Sequence, residues 1–160
     1  MNLIETYRKH FLLFETILSL IITAILLSFL SFNAIDIKSF IFDKGMMIFP
    51  ILTVVSFVLF GFVLTSITII LSLFRIPDSR LQFLKGRPQY IQVFNIYFFS
   101  IVCLVSNGIT SFLAIVLAPD TPAYLLYLIL WLTILSGFAL YRCVWALYHI
   151  VKISNIKIEQ

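Results

Sequence analysis

The chain has 160 residues, of which 62% are hydrophobic and 11% charged, with a formal net charge of +4. Soluble domains are about 45–50% apolar and about 25% charged, so 11 basic and seven acidic side chains cannot cover this much apolar surface in water. With a mean hydropathy of +1.11, the composition excludes a soluble enzyme, a disordered chain and a disulfide scaffold, and leaves an integral membrane protein.

Residues 1–10 put Leu3, Ile4 and Tyr7 on one helical side and Glu5, Arg8 and Lys9 elsewhere. This segment is expected to continue the first helix or to lead into it along the interface. The first apolar stretch, 11–32, holds one charge, Glu15, near its start. It is longer than the roughly 7–15 residues of a secretory h-region, and no small-x-small site follows, so it reads as a signal anchor that stays. Residues 33–45 mix Ile35, Ile37, Phe40, Ile41 and Phe42 with Asp36, Lys38, Asp43 and Lys44. They read as an outer loop with a short amphipathic piece ended by Gly45.

The second stretch, 46–74, is free of charge and has Pro50 in its first turn, where proline is tolerated. The middle loop, 75–90, is the most informative segment outside the membrane. Pro77 suits a first helical position, Asp78 a helix N-terminus, Gly86 a C′ position and Pro88 a stop, which predicts a two-turn amphipathic cytoplasmic helix near 78–85. Arg75, Arg80, Lys85 and Arg87 would there meet anionic headgroups or a soluble partner. The third stretch, 91–118, has no charge, and the fourth, 123–141, stops at Arg142. A span needs about 20 apolar residues, so all four stretches qualify. The continuous runs are unlike the alternating segments of a barrel. At 1.5 Å per residue the second stretch would make roughly 43 Å of helix, so it must tilt or project.

The predicted fold class is thus an all-α integral membrane protein: a four-transmembrane-helix bundle in one membrane domain. Four spans put both termini and the middle loop on one side. Nine of the eleven cations lie there (Arg8, Lys9, Arg75, Arg80, Lys85, Arg87, Arg142, Lys152, Lys157), against Lys38 and Lys44 on the other. The positive-inside rule makes that side cytoplasmic. The basic balance is thereby an orientation signal, and direct nucleic-acid binding is not expected. Tyr124 and Tyr127 at one end of the fourth stretch, and Tyr141, Trp145 and Tyr148 at the other, read as interfacial aromatic belts.

Polar residues within the stretches are the candidate functional residues. Glu15 and Arg142 lie at matching depth near the inner boundary, which allows an ion pair; the alternative is that each snorkels to water. His10 and His149 read as interfacial histidines. In the third stretch Ser100, Cys103, Asn107, Thr110, Ser111 and Ala114 recur at helical spacing. Small or weakly polar stripes also appear as Thr16, Ser19 and Thr23 with Ala24 and Ser28, as Gly61, Thr65, Thr68 and Ser72, and as Thr133, Ser136 and Gly137. Such stripes let helices approach and hydrogen-bond. Alternatively, Ser100, Asn107, Thr110 and Ser111 would line a pore, with Asn107 as a ring of amides in a symmetric oligomer.

Cys103 is read as deep and Cys143 as near the inner interface, a depth difference of roughly 15–20 Å that rules out a disulfide. There is no C-x-x-C, P-loop, Gly-rich dinucleotide loop or nucleophile elbow. No enzyme, metal or cofactor is expected.

The size, the four spans, the cytoplasmic termini and the short basic inner loop 75–90 together resemble the small four-span membrane subunits of bacterial anti-phage defence, of the Kiwa type. The resemblance is one of layout and implies a homo-oligomer at the bacterial inner membrane that recruits or releases a soluble effector. Small multidrug transporters are less similar: they lack such a loop and carry their glutamate in mid-membrane. The expectation is therefore a non-enzymatic inner-membrane scaffold or sensor that homo-oligomerises, contacts membrane lipids and binds a cytoplasmic protein. The alternatives are a small oligomeric ion channel lined by the third span and, third, a small-molecule transporter.

Overall fold

The computed structural model describes residues 3–32, 37–73, 88–117 and 122–155, with side chains over 13–29, 47–72, 91–117, 122 and 124–152. All four elements are helices: α1 (Leu3–Phe32), α2 (Ile37–Leu73), α3 (Pro88–Leu117) and α4 (Ala123–Asn155). Three of them carry apolar segments long enough to cross a membrane: Met47–Ser72, Ile91–Leu117 and Tyr124–Lys152. The described apolar segment of α1, Leu13–Phe29, is shorter. Large apolar side chains such as Phe29, Ile51, Val58, Phe98 and Val116 stand exposed on the outside, the surface chemistry of a protein solvated by lipid tails.

Several boundaries differ from the sequence expectation. Of the two arrangements open to residues 1–10, the structure shows the first helix continuing back to Leu3. The segment read as an outer loop is helical from Ile37, and Gly45 lies inside α2 rather than ending a separate piece. One glycine costs a helix only about 1 kcal/mol, and its neighbours on both sides accept helical geometry. Pro50 consequently sits in the helix interior rather than in a first turn, where it withholds one backbone donor. The fourth apolar stretch does not stop at Arg142: α4 continues to Asn155, because a lone cation does not break a helix. At its start, Leu125 N–H donates to the Pro122 carbonyl at 3.0 Å. The predicted helix at 78–85, with Arg75, Arg80, Lys85 and Arg87, lies outside the described residues.

α3 is the central element. It packs most extensively on α2 and then on α4, while α1 docks chiefly on α4. The buried faces have coiled-coil spacing. On α2 they are Phe49, Ser56, Val63 and Ile70, seven apart, with Ser66 beside them. On α4 Leu125, Ile129, Leu132, Ser136, Ala139, Cys143, Ala146 and Ile150 alternate steps of four and three. A period of 3.5 residues holds one seam against a partner along the whole helix length. Two apolar clusters result. One gathers Val63, Ile70, Ile96, Tyr97, Leu104 and Cys143; the other gathers Phe49, Ala114, Leu125, Leu126 and Ile129.

Candidate functional site: an interhelical polar layer and an ion-pair cleft

The two apolar clusters are separated by a polar layer. Between Phe49 and Val63 on α2 comes Ser56; between Leu104 and Ala114 on α3 comes Asn107; between Ile129 and Cys143 on α4 comes Thr133. Asn107, 3% exposed, joins all three helices. Its Nδ2 donates to Ser56 Oγ at 3.2 Å, and its Oδ1 accepts from Thr133 Oγ1 at 3.3 Å. The Thr133 hydroxyl also lies 2.8 Å from the Ile129 carbonyl, so its single proton serves one acceptor at a time. Next to the layer, Gly108 lets α2 close in: a Cβ there would stand 3.2 Å from the Phe57 ring.

One helical repeat further along, Ser100 is completely buried. Its hydroxyl lies 2.9 Å from the Ile96 carbonyl and 3.1 Å from the Ala139 carbonyl of α4. It accepts from Cys143 Sγ at 3.1 Å. Tyr97 adds a bond from its hydroxyl to the Cys143 carbonyl at 3.1 Å. Cys143 therefore stands level with Ser100, about one turn from Cys103. The expected 15–20 Å depth difference is corrected, and its cause is the early end assigned to the fourth stretch. Both cysteines are buried and free.

The whole expected stripe of α3, namely Ser100, Cys103, Asn107, Thr110, Ser111 and Ala114, is buried. Thr110 returns its hydroxyl to the Ser106 carbonyl, whereas Ser111 Oγ has no hydrogen-bond partner among the described residues. The α2 stripe behaves oppositely. Gly61, Thr65, Thr68 and Ser72 are exposed, Gly61 faces open space, and the hydroxyls bond back to their own helix, as Thr68 does to the Leu64 carbonyl at 3.0 Å. Gly137 of α4 and Ala24 and Ser28 of α1 also face outward. The residues of α2 that do make contact, Ser56 and Ser66, were not singled out from the sequence. The signal for Ser56 is the seven-residue series through Phe49 and Val63, and Ser66 follows Val63 by three on the same side.

α1 turns Glu15, Ser19 and Thr23, four residues apart, into the protein, and the first two bond to α4. Ser19 Oγ accepts from Trp131 Nε1 at 2.9 Å and donates to the Thr16 carbonyl at 2.8 Å. The structure brings Glu15 and Arg142 together. Arg142 Nε and Nη2 each lie 2.6 Å from the same carboxylate oxygen, Oε1. The Glu15 side chain is 10% exposed and that of Arg142 18%. The second oxygen, Oε2, is buried with no hydrogen-bond partner among the described residues. The pair forms one wall of a cleft of about 450 Å³ between α1 and α4. Phe14 and Leu18 line it from α1, Ile96 from α3, and Phe138, Tyr141 and Trp145 from α4. At the same end, His149 stacks near Trp145 with ring centroids 4.0 Å apart, and its Nδ1 lies 3.0 Å from the Trp145 carbonyl.

Among the described residues, no group of three or more His, Cys, Asp or Glu could hold a metal ion. No family model, curated protein or solved structure matches the chain.

Proposed function

We propose that this chain is a non-enzymatic membrane scaffold or sensor subunit. In this reading all four helices cross the membrane with both termini in the cytoplasm. Copies associate through the outward face of α2, and Arg75, Arg80, Lys85 and Arg87 engage a soluble cytoplasmic protein. The observation that carries the reading is the opposite use of two similar stripes. On α3, Asn107 and Ser100 turn into the protomer and bond to Ser56, Thr133 and the Ala139 carbonyl. The small residues of α2 remain on the surface, where a second helix can approach closely. A pore ringed by Asn107 would require that side chain on an outer face, and at 3% exposure it would first have to leave the protomer core. The scaffold is favoured over the channel for that reason.

Support for α1 as a fourth span comes from its contacts. Glu15, Ser19 and Thr23 all turn inward, and Arg142 and Trp131 of α4 hold it by side-chain bonds. Polar groups tied together in this way are what a helix needs in hydrocarbon. The layout resemblance to Kiwa-type membrane subunits extends the proposal to a role in phage defence at a bacterial inner membrane. The test is charge reversal of Arg80, Lys85 and Arg87 together. Recovery of a co-purifying soluble protein should fall to background while membrane insertion is unchanged; undiminished recovery overturns the proposal.

A further inference from the structure

The cleft at Glu15 and Arg142 is the one place in the described structure where charge, cavity and an unmet hydrogen-bonding group coincide. Its volume of about 450 Å³ falls within the roughly 300–1,000 Å³ of small-molecule sites. Its walls are apolar and aromatic, and Phe14, Tyr141 and Trp145 at its rim are exposed, so it opens sideways toward whatever surrounds the helices. For the three membrane-length helices that surrounding is lipid. The pair also lies near a boundary. Lys9 is six residues before Glu15 on α1, about 9 Å at helical rise. Trp145 and Tyr148 follow Arg142 on α4, and such residues favour headgroup level.

The electrostatics narrow the occupant. A guanidinium and a carboxylate normally engage as a fork, two donors on two oxygens. Here Nε and Nη2 of Arg142 both fall on Oε1, and Oε2 is left buried without a donor. A carboxylate oxygen in that state calls for a cationic or N–H-bearing group. The last torsion of a glutamate is broad, so a small turn of the carboxyl presents Oε2 to the cleft that Glu15 lines. The neighbouring guanidinium disfavours a simple cation and suits a group that carries its own anion. The aromatic rings add attraction for an ammonium.

We propose that this cleft binds a phospholipid whose headgroup carries a primary ammonium beside its phosphate, that is, a phosphatidylethanolamine. The ammonium donates to Glu15, the phosphate faces Arg142, and an acyl chain lies along Phe14, Leu18 and Phe138. A choline headgroup has no N–H to give and leaves Oε2 unmet. This goes beyond the scaffold reading and requires only that α1 and α4 meet lipid at this level.

The full chain is reconstituted in vesicles of equal dioleoyl-phosphatidylethanolamine and dioleoyl-phosphatidylcholine, extracted gently, and its retained lipid counted by native mass spectrometry. Phosphatidylethanolamine should be retained at one per chain with about tenfold enrichment. Glu15→Gln keeps an oxygen for Arg142 but turns the second into a donor, and should return the ratio to that of the vesicle. Leu18→Trp fills the cleft while keeping both members of the pair and should abolish retention of either lipid. Equal retention of both lipids by the unmodified chain means an annular shell only and overturns the proposal. So does enrichment that survives either substitution. If Glu15→Gln fails to insert, Leu18→Trp decides alone. Partner recovery plays no part in this readout, so its failure and that of the scaffold reading remain distinct.

Discussion

The stripes on α2 and α3 look alike as sequence and are put to opposite use. Ser100, Cys103, Asn107, Thr110, Ser111 and Ala114 form the buried face of α3, whereas Gly61, Thr65, Thr68 and Ser72 are exposed on α2. The difference lies in bonding range. Asn107 and Ser100 have groups that reach across to another helix. The α2 hydroxyls satisfy themselves on carbonyls three or four residues back. In lipid, a hydroxyl that can close on its own helix gives no reason to face inward. An amide has no such refuge, because its two donors and its acceptor cannot all be met within one turn. An asparagine in an apolar helix therefore identifies a contact face, and a threonine does not.

The comparison can be broken most severely at the α1–α4 seam. Arg142→Leu leaves Glu15 as a buried carboxylate without its cation, and should lower stability by about 3 kcal/mol. Glu15→Leu should do the same from the other side. The double substitution, which leaves no unpaired charge, should recover more than half of that loss. Thermal unfolding in detergent reads all three, and a strictly additive double mutant would show that the pair contributes nothing as a pair. The next effect belongs to the polar layer. Asn107→Leu conserves volume but removes the bonds to Ser56 and Thr133, at a cost of about 1 kcal/mol. Thr65→Val, on the exposed stripe of α2, should change the same midpoint by less than about 0.5 kcal/mol.

Much of this architecture was legible. The helical class, the approximate stretches, the α3 stripe and the depth match of Glu15 with Arg142 all follow from spacing and scarcity of charge, because hydrocarbon is intolerant of exceptions. What spacing could not supply was which side of α2 faces α3. Lipid is as apolar as Leu or Val, so the hydrophobic pattern that orients a helix in water is silent here, and Ser56 and Ser66 stand among equally apolar neighbours. The start of α2 and the end of α4 depart from the sequence expectation for a related reason. Gly45, Pro50 and Arg142 are stops or first-turn residues by the rules of soluble helices, yet α2 runs through the first two and α4 through the third. The expected depth difference between Cys103 and Cys143 comes from that same early stop, whereas Cys143 meets Ser100 in the structure.

The most discriminating effect concerns the two glycines. Gly108 faces the Phe57 ring at 3.2 Å from where a Cβ would sit, while Gly61 has nothing within 4 Å. In a helix interior, alanine is favoured over glycine by about 0.5–1 kcal/mol. At Gly61 that gain should appear in full, and Gly61→Ala should raise the unfolding midpoint of the isolated protomer slightly. At Gly108 the Phe57 ring edge must shift by a few tenths of an ångström, and the gain should be offset to about zero or below. A bulkier change separates fold from assembly. Gly61→Ile should leave the protomer's stability within about 0.5 kcal/mol but should remove crosslinked dimers in vesicles, if α2 is where copies meet. Dimers that persist undiminished in Gly61→Ile would leave the α2 stripe as lipid-facing surface, and the contrast with α3 would then be one of bonding alone.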